Sequence, residues 1–259
     1  MTIQALVIGI GSGNPDHLTR EAVAALNRVD VFLVADKGPA KHDLVKLRED
    51  LCRALIADDH YRFVEVPDPD RGPDRERDAA EYQSGVEVWH DARARRYAEI
   101  IAAEASEGAT IGFLVWGDPA FYDSTIRIVE STTELGVDLA LTVIPGISSI
   151  QLLAARHKII LNRVGRPIHV TTGRRLLDEY SPALGDVVVM LDGGLACGGL
   201  VERFGDLTIY WGAQLGLPDE VLVSGRLSEV IEEIRAKRAS VREARGWVMD
   251  TYLLRSTNR

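Results

Sequence analysis

Cysteine is scarce in this 259-residue chain, and its two copies, Cys52 and Cys197, belong to no Cys-x-x-Cys or metal-ligand spacing. The sequence therefore predicts neither a disulfide framework nor a zinc site, and it fits a reduced, cytoplasmic protein. A basic leader is also lacking, so we expect no targeting peptide. The longest uncharged stretch, residues 139–155, is shorter than the ~20 residues of a membrane span and contains Pro145 and Gly146, so we expect no transmembrane segment.

Positive charge is in deficit as well, since 30 lysines and arginines face 39 acidic residues and give a formal net charge of -9. This balance argues against a nucleic-acid partner, because phosphate binding depends on lysine and arginine. Acidic residues are themselves missing between Asp138 and Asp178. That window carries the basic residues Arg156, His157, Lys158, Arg163, Arg166, His169, Arg174 and Arg175. It predicts either a site for a polyanionic small molecule or solvated loop ends.

The chain is long enough for two α/β domains, and its 46% apolar content supplies two cores. In the first half, short apolar runs alternate with helical patterns, which predicts a largely parallel sheet. The expected strands are residues 3–9, 31–35, 63–66, 111–116 and 139–144, and the expected helices follow Thr19 and cover residues 41–56 and 78–106.

The second half predicts strands at residues 168–172, 187–191, 207–211, 221–224 and 247–254. Only a loop separates the third of these strands from the fourth, which indicates an antiparallel pair. We therefore expect an α/β fold with a parallel sheet in residues 1–141 and a mixed sheet in residues 142–259.

A glycine-rich turn, Gly9-Ile10-Gly11-Ser12-Gly13, joins the first strand to the first helix. A dinucleotide-binding fold places its phosphate loop there, but it requires glycine where this chain has Asn14. A Gly-Lys-Ser/Thr triplet is also absent, which excludes a nucleoside triphosphate loop. The turn alone indicates either a tight structural bend or a close approach of ligand to backbone.

Two further turns follow strands and precede helices. Trp116-Gly117-Asp118-Pro119 ends the fourth strand, at the edge where α/β sheets bind ligands. Pro145-Gly146-Ile147-Ser148-Ser149 follows the fifth strand, and its free N–H groups are suited to an acceptor. Taken singly, each turn also fits an ordinary Asp-Pro or Pro-Gly turn with a helix cap.

Together, GIGSGNPDHLT (residues 9–19), WGDPAFYDS (116–124) and PGISS (145–149) resemble the tetrapyrrole (corrin/porphyrin) methylase family. The resemblance covers essentially the whole chain. It implies two α/β domains with a cofactor cleft between them, S-adenosyl-L-methionine as methyl donor, S-adenosyl-L-homocysteine as product, no metal, and a homodimer. Longer stretches, such as RHKIILNRVGRPIHVTTGRR (156–175), resemble one member that methylates C-1 of precorrin-5 and releases its acetyl group as acetate.

The resemblance also implies the residues of the site. Donor contacts are expected from Ser12, Trp116, Gly117, Asp118, Phe121, Ile147, Ser148, Ser149, Leu191, Ala213 and Trp247. Deacetylation requires a proton acceptor or an oxyanion donor, for which Asp36, Tyr122, Asp123 and His157 are candidates by position. Lys37, Arg163 and Arg174 are the basic residues expected to hold substrate carboxylates.

Other functions remain open at this point. The opening strand, glycine loop and helix, with Asp36 ending the second strand, suggest a nicotinamide-dependent reductase as an alternative. Another is a non-catalytic tetrapyrrole-binding protein on the same scaffold. Within the family, the alternatives are methylation at a different precorrin position and a diphthine synthase acting on a protein.

Overall fold

The computed structural model describes residues 2–36, 42–69, 79–204 and 206–256. Contacts within the chain divide it into two compact units, Met1–Ile147 and Ser148–Arg259. The sequence placed the boundary between residues 141 and 142, six residues earlier. Both units combine helices with a five-stranded sheet, which confirms the predicted α/β class.

The first unit contains a wholly parallel sheet, as the alternating pattern predicted. Its strands are β1 (Ile3–Gly9), β2 (Val31–Asp36), β3 (Arg62–Pro67), β4 (Thr110–Val115) and β5 (Leu139–Ile144), in the spatial order β3-β2-β4-β1-β5. The strand β5 pairs with β1 over its full length, so the chain leaves this unit only after the turn that follows β5. Because the strands are parallel, all five carboxyl ends lie at one edge.

In the described part of this unit, four helices cover the sheet: α1 (Arg20–Leu26), α2 (His42–Leu55), α3 (Ala79–Glu104) and α4 (Thr125–Glu134). The first begins as expected, since Thr19 Oγ1 accepts a hydrogen bond from the Ala22 N–H at 3.0 Å. The third helix continues through Gly85 without a break. A glycine inside a helix costs about 1 kcal/mol, which the remaining turns of this long helix can absorb.

The two faces of the first sheet bury different residues of β1. Leu6 and Ile8 pack with α1 and α2, whereas Ala5 and Val7 pack with α3 and α4. All four side chains are fully buried. A strand covered on both faces requires a continuous apolar run, which is why β1 lacks the polar alternation of a half-exposed strand.

The second unit contains the predicted mixed sheet. Its strands are β6 (Ile168–Thr172), β7 (Asp186–Met190), β8 (Leu207–Ala213), β9 (Val221–Arg226) and β10 (Asp250–Ser256), in the spatial order β6-β7-β10-β8-β9. Only β6 and β7 are parallel, and β8 and β9 form the expected antiparallel pair. The helices are α5 (Ser149–His157), α6 (Gly173–Glu179) and α7 (Leu227–Arg245).

The last strand begins at Asp250, three residues later than the apolar run suggested. Just before this strand, the Gln214 N–H donates to the Met249 carbonyl at 2.9 Å, and Gln214 Oε1 accepts from the Met249 N–H at 3.1 Å. These bonds occupy the backbone just before Asp250. Trp247 therefore lies in the loop that follows α7, where it is largely buried.

The strand ends of the second sheet form two opposite edges, each named by one of its residues. The Ala213 edge contains Thr172, Met190, Ala213 and Asp250, and the Asp186 edge contains Ile168, Asp186, Leu207 and Ser256. The strand register fixes both sets, since Asp250 pairs with Ala213 and Ser256 pairs with Leu207.

A buried carboxylate organises the Asp186 edge. Arg255 approaches Asp186 through Nε and Nη2, each 3.1 Å from a carboxylate oxygen, and Arg163 Nε lies 3.6 Å away. Arg255 Nη2 also donates to the carbonyls of Ile160 and Leu161 at 2.7 and 3.2 Å. The loop between α5 and β6 is thereby fastened to the sheet.

Two features of the described residues complete the fold. Cys52 and Cys197 are free and fully buried, and burial raises the pKa of each thiol to about 12. Within the same ranges, no helix combines the length and apolar character that crossing a membrane requires.

Removing the Arg255 guanidinium tests how much the Asp186 cluster stabilises the protein. Arg255→Met leaves a buried carboxylate without its bidentate partner, and we expect the free energy of unfolding to fall by about 3 kcal/mol. Urea denaturation followed by circular dichroism measures this change. Lys237→Met is the matched control, because it removes only a solvent-exposed pair with Glu233. An equal, small effect of the two substitutions would contradict this role of Asp186.

Candidate active site

The carboxyl edge of the first sheet contains a topological switch point. From β1 the chain passes through α1 to β2, and from β4 it passes through α4 to β5 on the other side. The two helices cover opposite faces, and β1 and β4 are neighbours. Open α/β sheets bind ligands at such a point, in the crevice outside the strand ends. We therefore expect the ligand site at the loops that follow β1 and β4.

These two loops are joined through glycine backbones. Gly11 and Gly117 form an isolated antiparallel bridge, in which the Gly11 N–H donates at 3.1 Å and the Gly117 N–H donates at 2.7 Å. Both residues have positive φ, +59° and +67°, a conformation that favours glycine. The first two sequence segments are thus hydrogen-bonded to each other.

The third segment meets the other two at Gly146. A Cβ atom on Gly146 would lie 2.1 Å from the Gly117 carbonyl oxygen and 2.9 Å from the Gly9 Cα. A Cβ on Gly9 would lie 2.6 Å from the Gly146 nitrogen. Only residues without side chains allow three backbones to approach so closely. The structure therefore brings all three segments together.

Asp118 fastens the second segment to the third. Its Oδ1 accepts from the Ala120 N–H at 2.8 Å, and its Oδ2 accepts from the Gly146 N–H at 2.9 Å. Both carboxylate oxygens thus bind backbone N–H groups of the first unit. The geometry indicates that this side chain shapes the loop.

The remaining side chains of the first loop and of the β4 end pack against one another. Ser12 Oγ lies 3.3 Å from His17 Nδ1. Gly13 has φ +86°, and a Cβ there would lie 2.7 Å from the Trp116 ring. The indole ring therefore covers Gly13 and fixes the distance between the glycine loop and the β4 end.

Two aromatic residues after β4 are exposed at the same edge. Phe121 and Tyr122 have relative exposures of 37% and 48%, and Tyr122 has φ +51° although it is not glycine. A bulky residue in this region stores backbone strain, which is frequent at functional sites. Asp123 precedes α4, and its Oδ1 accepts from the N–H of Thr125, the first residue of that helix, at 2.7 Å. Asp36 ends β2 at this edge, and Lys37 lies outside the described residues.

Helix α5 begins directly after this cluster, and its first residues include two predicted donor contacts. Ser148 is buried and caps the helix, with its N–H donating to Gln151 Oε1 at 2.9 Å and its Oγ accepting from the Ile150 N–H. Ser149 is the first helical residue. Ile147 is the last residue of the first unit. The capping bonds fix the conformation of this turn.

The Ala213 edge of the second sheet collects the other predicted donor contacts. Leu191 follows β7 with φ +53° and 66% exposure, which is an unusual pair of properties for a leucine. Ala213 ends β8 and is fully buried. Trp247 packs beside Arg245, whose guanidinium carbon lies 5.4 Å from the ring centroid. Arg174 lies at this edge too, in the first turn of α6.

Two predicted residues are engaged in other contacts. His157 Nε2 lies 3.0 Å from the Trp211 carbonyl oxygen, and its ring packs edge-on against Tyr210. Arg163 lies at the Asp186 edge, where it donates to the Ser256 carbonyl and pairs with Asp186. It lines a cavity of about 570 Å³ with Arg166. This cavity opens at the edge opposite to Leu191 and Ala213.

The acid-free window is less positive in the structure than in the sequence. Arg156 pairs with Glu220 at 2.9 Å, Arg163 with Asp186, and Arg175 with Glu179 at 2.5 Å. All three carboxylates come from outside the window. The expected local positive field is therefore partly neutralised by tertiary contacts that sequence spacing does not reveal.

One residue at the carboxyl edge of the first sheet escaped the sequence analysis. Arg48, in α2, lies with its guanidinium carbon 4.6 Å from the Trp116 ring centroid. Its Nε donates to the Leu114 carbonyl at 3.2 Å. Burial lowers its pKa to about 10, while the Asp123 carboxylate acts in the opposite direction. In the sequence, Arg48 resembles any charged residue of an amphipathic helix, so no pattern distinguishes it.

Residues 5–231 match the model of the tetrapyrrole (corrin/porphyrin) methylases. The match spans most of the chain and includes all three segments. The chain therefore belongs to this family of S-adenosylmethionine-dependent methyltransferases and is a methyltransferase.

Individual relatives agree with this assignment. A precorrin-6A synthase (deacetylating) from Sinorhizobium sp. is 45% identical over 253 residues, which cover 96% of this chain and 94% of the relative. A cobalamin synthesis related protein (CobF) from Corynebacterium diphtheriae superimposes with a TM-score of 0.83 and 33% identity over the whole of both chains. A uroporphyrin-III C-methyltransferase from Thermus thermophilus, solved with S-adenosylhomocysteine, shares the fold at TM-score 0.60 and 18% identity, covering 97% and 92% of the chains.

Asp118→Ala tests the link between the second and third segments. The substitution leaves the part-buried Gly146 N–H and the exposed Ala120 N–H without their acceptor, and the loss of these two bonds costs about 1 kcal/mol. We expect the dissociation constant for S-adenosylhomocysteine to rise about tenfold or more, as measured by isothermal titration calorimetry. Asp138→Ala is the control, since Asp138 precedes β5 at the opposite edge of the sheet. Unchanged affinity in Asp118→Ala would show that the loop holds its shape without this carboxylate.

Gly146→Ala tests the close approach of the three backbones. The added methyl would lie 2.1 Å from the Gly117 oxygen, so the segments must separate. We expect a loss of about 1–3 kcal/mol in stability and of measurable S-adenosylhomocysteine binding. Gly193→Ala is the stability control, because a Cβ there meets nothing within 4 Å. A melting temperature and affinity equal to those of the unmodified protein would refute the crowding argument.

Proposed function

We propose that this methyltransferase transfers a methyl group from S-adenosyl-L-methionine to C-1 of precorrin-5. The acetyl group leaves as acetate, and the products are precorrin-6A and S-adenosyl-L-homocysteine. The observation that carries the proposal is the 45% identity to a precorrin-6A synthase (deacetylating) over nearly the whole of both chains. The meeting of the three segments at a switch point supplies the physical basis for donor binding.

The glycine cluster fits a donor that lies against backbone. Gly9, Gly117 and Gly146 pack against one another without side chains, and this packing brings the ends of the three loops together as one main-chain surface on which an adenosyl group can lie. We assign the donor contacts of the first unit to Ser12, Trp116, Gly117, Asp118, Phe121 and Ile147. Those of the second unit are Ser148, Ser149, Leu191, Ala213 and Trp247. Asp118 acts there through the backbone that it holds.

The donor, when bound, supplies a sulfonium methyl group that is already activated for transfer. The contribution of the protein is then to hold the ring carbon in line with that methyl, and well-oriented reactions gain up to about 7–11 kcal/mol in this way. Rigid loops suit this task. The hydrogen bonds of Asp118 and the Gly11–Gly117 bridge restrict the motion of the loops that surround the donor.

Deacetylation requires water to add to the acetyl carbonyl and the carbon–carbon bond to break. Tyr122 is the candidate that we favour for oxyanion donation, because its strained and exposed position places a phenol at the carboxyl edge. Asp36 ends β2 at the same edge and remains a candidate base. His157 is less suitable, since Nε2 is engaged with the Trp211 carbonyl. Its sequence-based assignment is best replaced by a structural role.

The substrate carboxylates need cationic partners. Arg174 at the Ala213 edge is the arginine that we favour, since Leu191 and Ala213 lie at that edge too. Lys37 is proposed from the sequence alone. Arg163 holds Asp186 and Ser256 at the opposite edge, and we assign it to the fold. We further propose that the enzyme works in the cytoplasm as a homodimer.

The decisive experiment combines two measurements in one reaction. Purified protein is incubated with precorrin-5 and methyl-labelled S-adenosylmethionine, and label incorporation and acetate release are followed together. We expect the two to appear in equal amounts. Methylation without acetate would contradict the specific reaction and retain the family. Binding of NADPH without binding of S-adenosylmethionine would favour a reductase instead.

A further inference from the structure

The strands β2 and β4 separate before they reach the carboxyl edge. They pair only at Val31–Ile111 and Phe32–Gly112. Beyond this point, carbonyls of β4 that face β2 have no strand partner. When strand pairing ends early, the backbone carbonyls beyond it need another hydrogen-bond donor.

The Leu114 carbonyl is one such group. Carbonyls alternate along a strand, and that of Val115 accepts from the Ile10 N–H at 2.8 Å on the β1 side. The Leu114 carbonyl therefore faces β2. It accepts from Arg48 Nε at 3.2 Å, so an arginine of α2 takes the place of the missing strand.

The Arg48 guanidinium also contacts Trp116, at the start of the loop that follows β4. While Nε binds Leu114, Nη1 donates to the Leu44 carbonyl at 3.1 Å within α2, which holds the planar group in one orientation. Its guanidinium carbon lies 4.6 Å from the Trp116 ring centroid, within cation–π range. Trp116 in turn covers Gly13 of the first loop. A continuous series of contacts leads from α2 to the glycine loop.

We propose that Arg48 is a positioning residue for donor binding, which fills the opening between β2 and β4 and orients Trp116 against the glycine loop. This inference rests on the proposed function, because it concerns the donor site. It assigns to Arg48 an effect on donor affinity and no contact with reacting atoms. Lysine replaces it only in part, since an ammonium has neither the planar face nor the fixed Nε direction.

The charge of Arg48 is compatible with this role. Its pKa of about 10 leaves the guanidinium protonated at neutral pH, so the cation–π contact persists under assay conditions. Asp123 belongs to the loop that Trp116 begins, and its attraction raises the pKa of Arg48. Arg48 therefore contacts Trp116 at the start of this loop and is attracted electrostatically to Asp123 near its end.

Two substitutions and a matched control test the proposal. Arg48→Met removes the donors and the cation, Arg48→Lys retains the cation, and Arg53→Met removes an exposed arginine of the same helix that pairs with Asp50. We expect the dissociation constant for S-adenosylhomocysteine to rise about tenfold in Arg48→Met and about threefold in Arg48→Lys. It stays unchanged in Arg53→Met. With saturating donor, kcat for methyl transfer changes less than about twofold.

A second readout needs no donor. The chain has four tryptophans, and fluorotryptophan labelling gives four ¹⁹F resonances, of which Trp116→Phe identifies one. We expect both Arg48 variants to shift the Trp116 resonance and to leave those of Trp89, Trp211 and Trp247 in place.

The outcomes separate the two proposals. Lower thermal stability with unchanged affinity, or an unshifted Trp116 resonance, would overturn the positioning role. If the unmodified protein fails to bind S-adenosylhomocysteine, the proposed function is wrong, and the ¹⁹F comparison still decides the contact between Arg48 and Trp116.

Discussion

The close approach of three backbones at Gly9, Gly117 and Gly146 is the constraint on which the candidate site depends. Parallel strands bring β1, β4 and β5 side by side, and the loops that follow them compete for the same space. Removing the side chains relieves this competition, and hydrogen bonds between Gly11 and Gly117 then hold the loops together. Asp118 adds a carboxylate where a backbone N–H would otherwise lack a partner. The shape of the site is thus a property of the main chain.

The sequence was most informative where a local rule acts alone. Strand periodicity located the ten strands of the described residues, and the start of the first helix after Thr19 was predicted from the helical pattern that follows it. The three segments were recognised by their order, and their meeting at one edge follows from parallel pairing. The domain boundary was harder to predict, because the sequence around β5 allows the first domain to end before or after that strand. The pairing of β5 with β1 keeps β5 in the first unit, and no local sequence signal predicts this long-range contact.

The electrostatic expectations depended more on tertiary structure. The acid-free window suggested a positive surface. Arginines of this window instead form ion pairs with Glu220, Asp186 and Glu179, which neutralise part of its charge. Arg163, which the sequence suggested as a substrate ligand, lies beside a buried carboxylate. Arg48, which the sequence did not single out, contacts Trp116. Charge counted along a chain describes a protein surface only when the partners of each charge are known, since ion pairs join residues far apart in sequence.

The backbone character of the site also bears on how such an enzyme can diversify. Each glycine of the cluster restricts the other two, so a change at one requires coordinated change at its neighbours, and evolution along that route is slow. The side chain of Tyr122 is exposed and lies outside this close approach of glycine backbones. Under the proposed function, substitution at this position would change the ring-carbon preference while the donor contacts are retained. For protein engineers, the same separation defines where a focused library should be randomised and where it should be left alone.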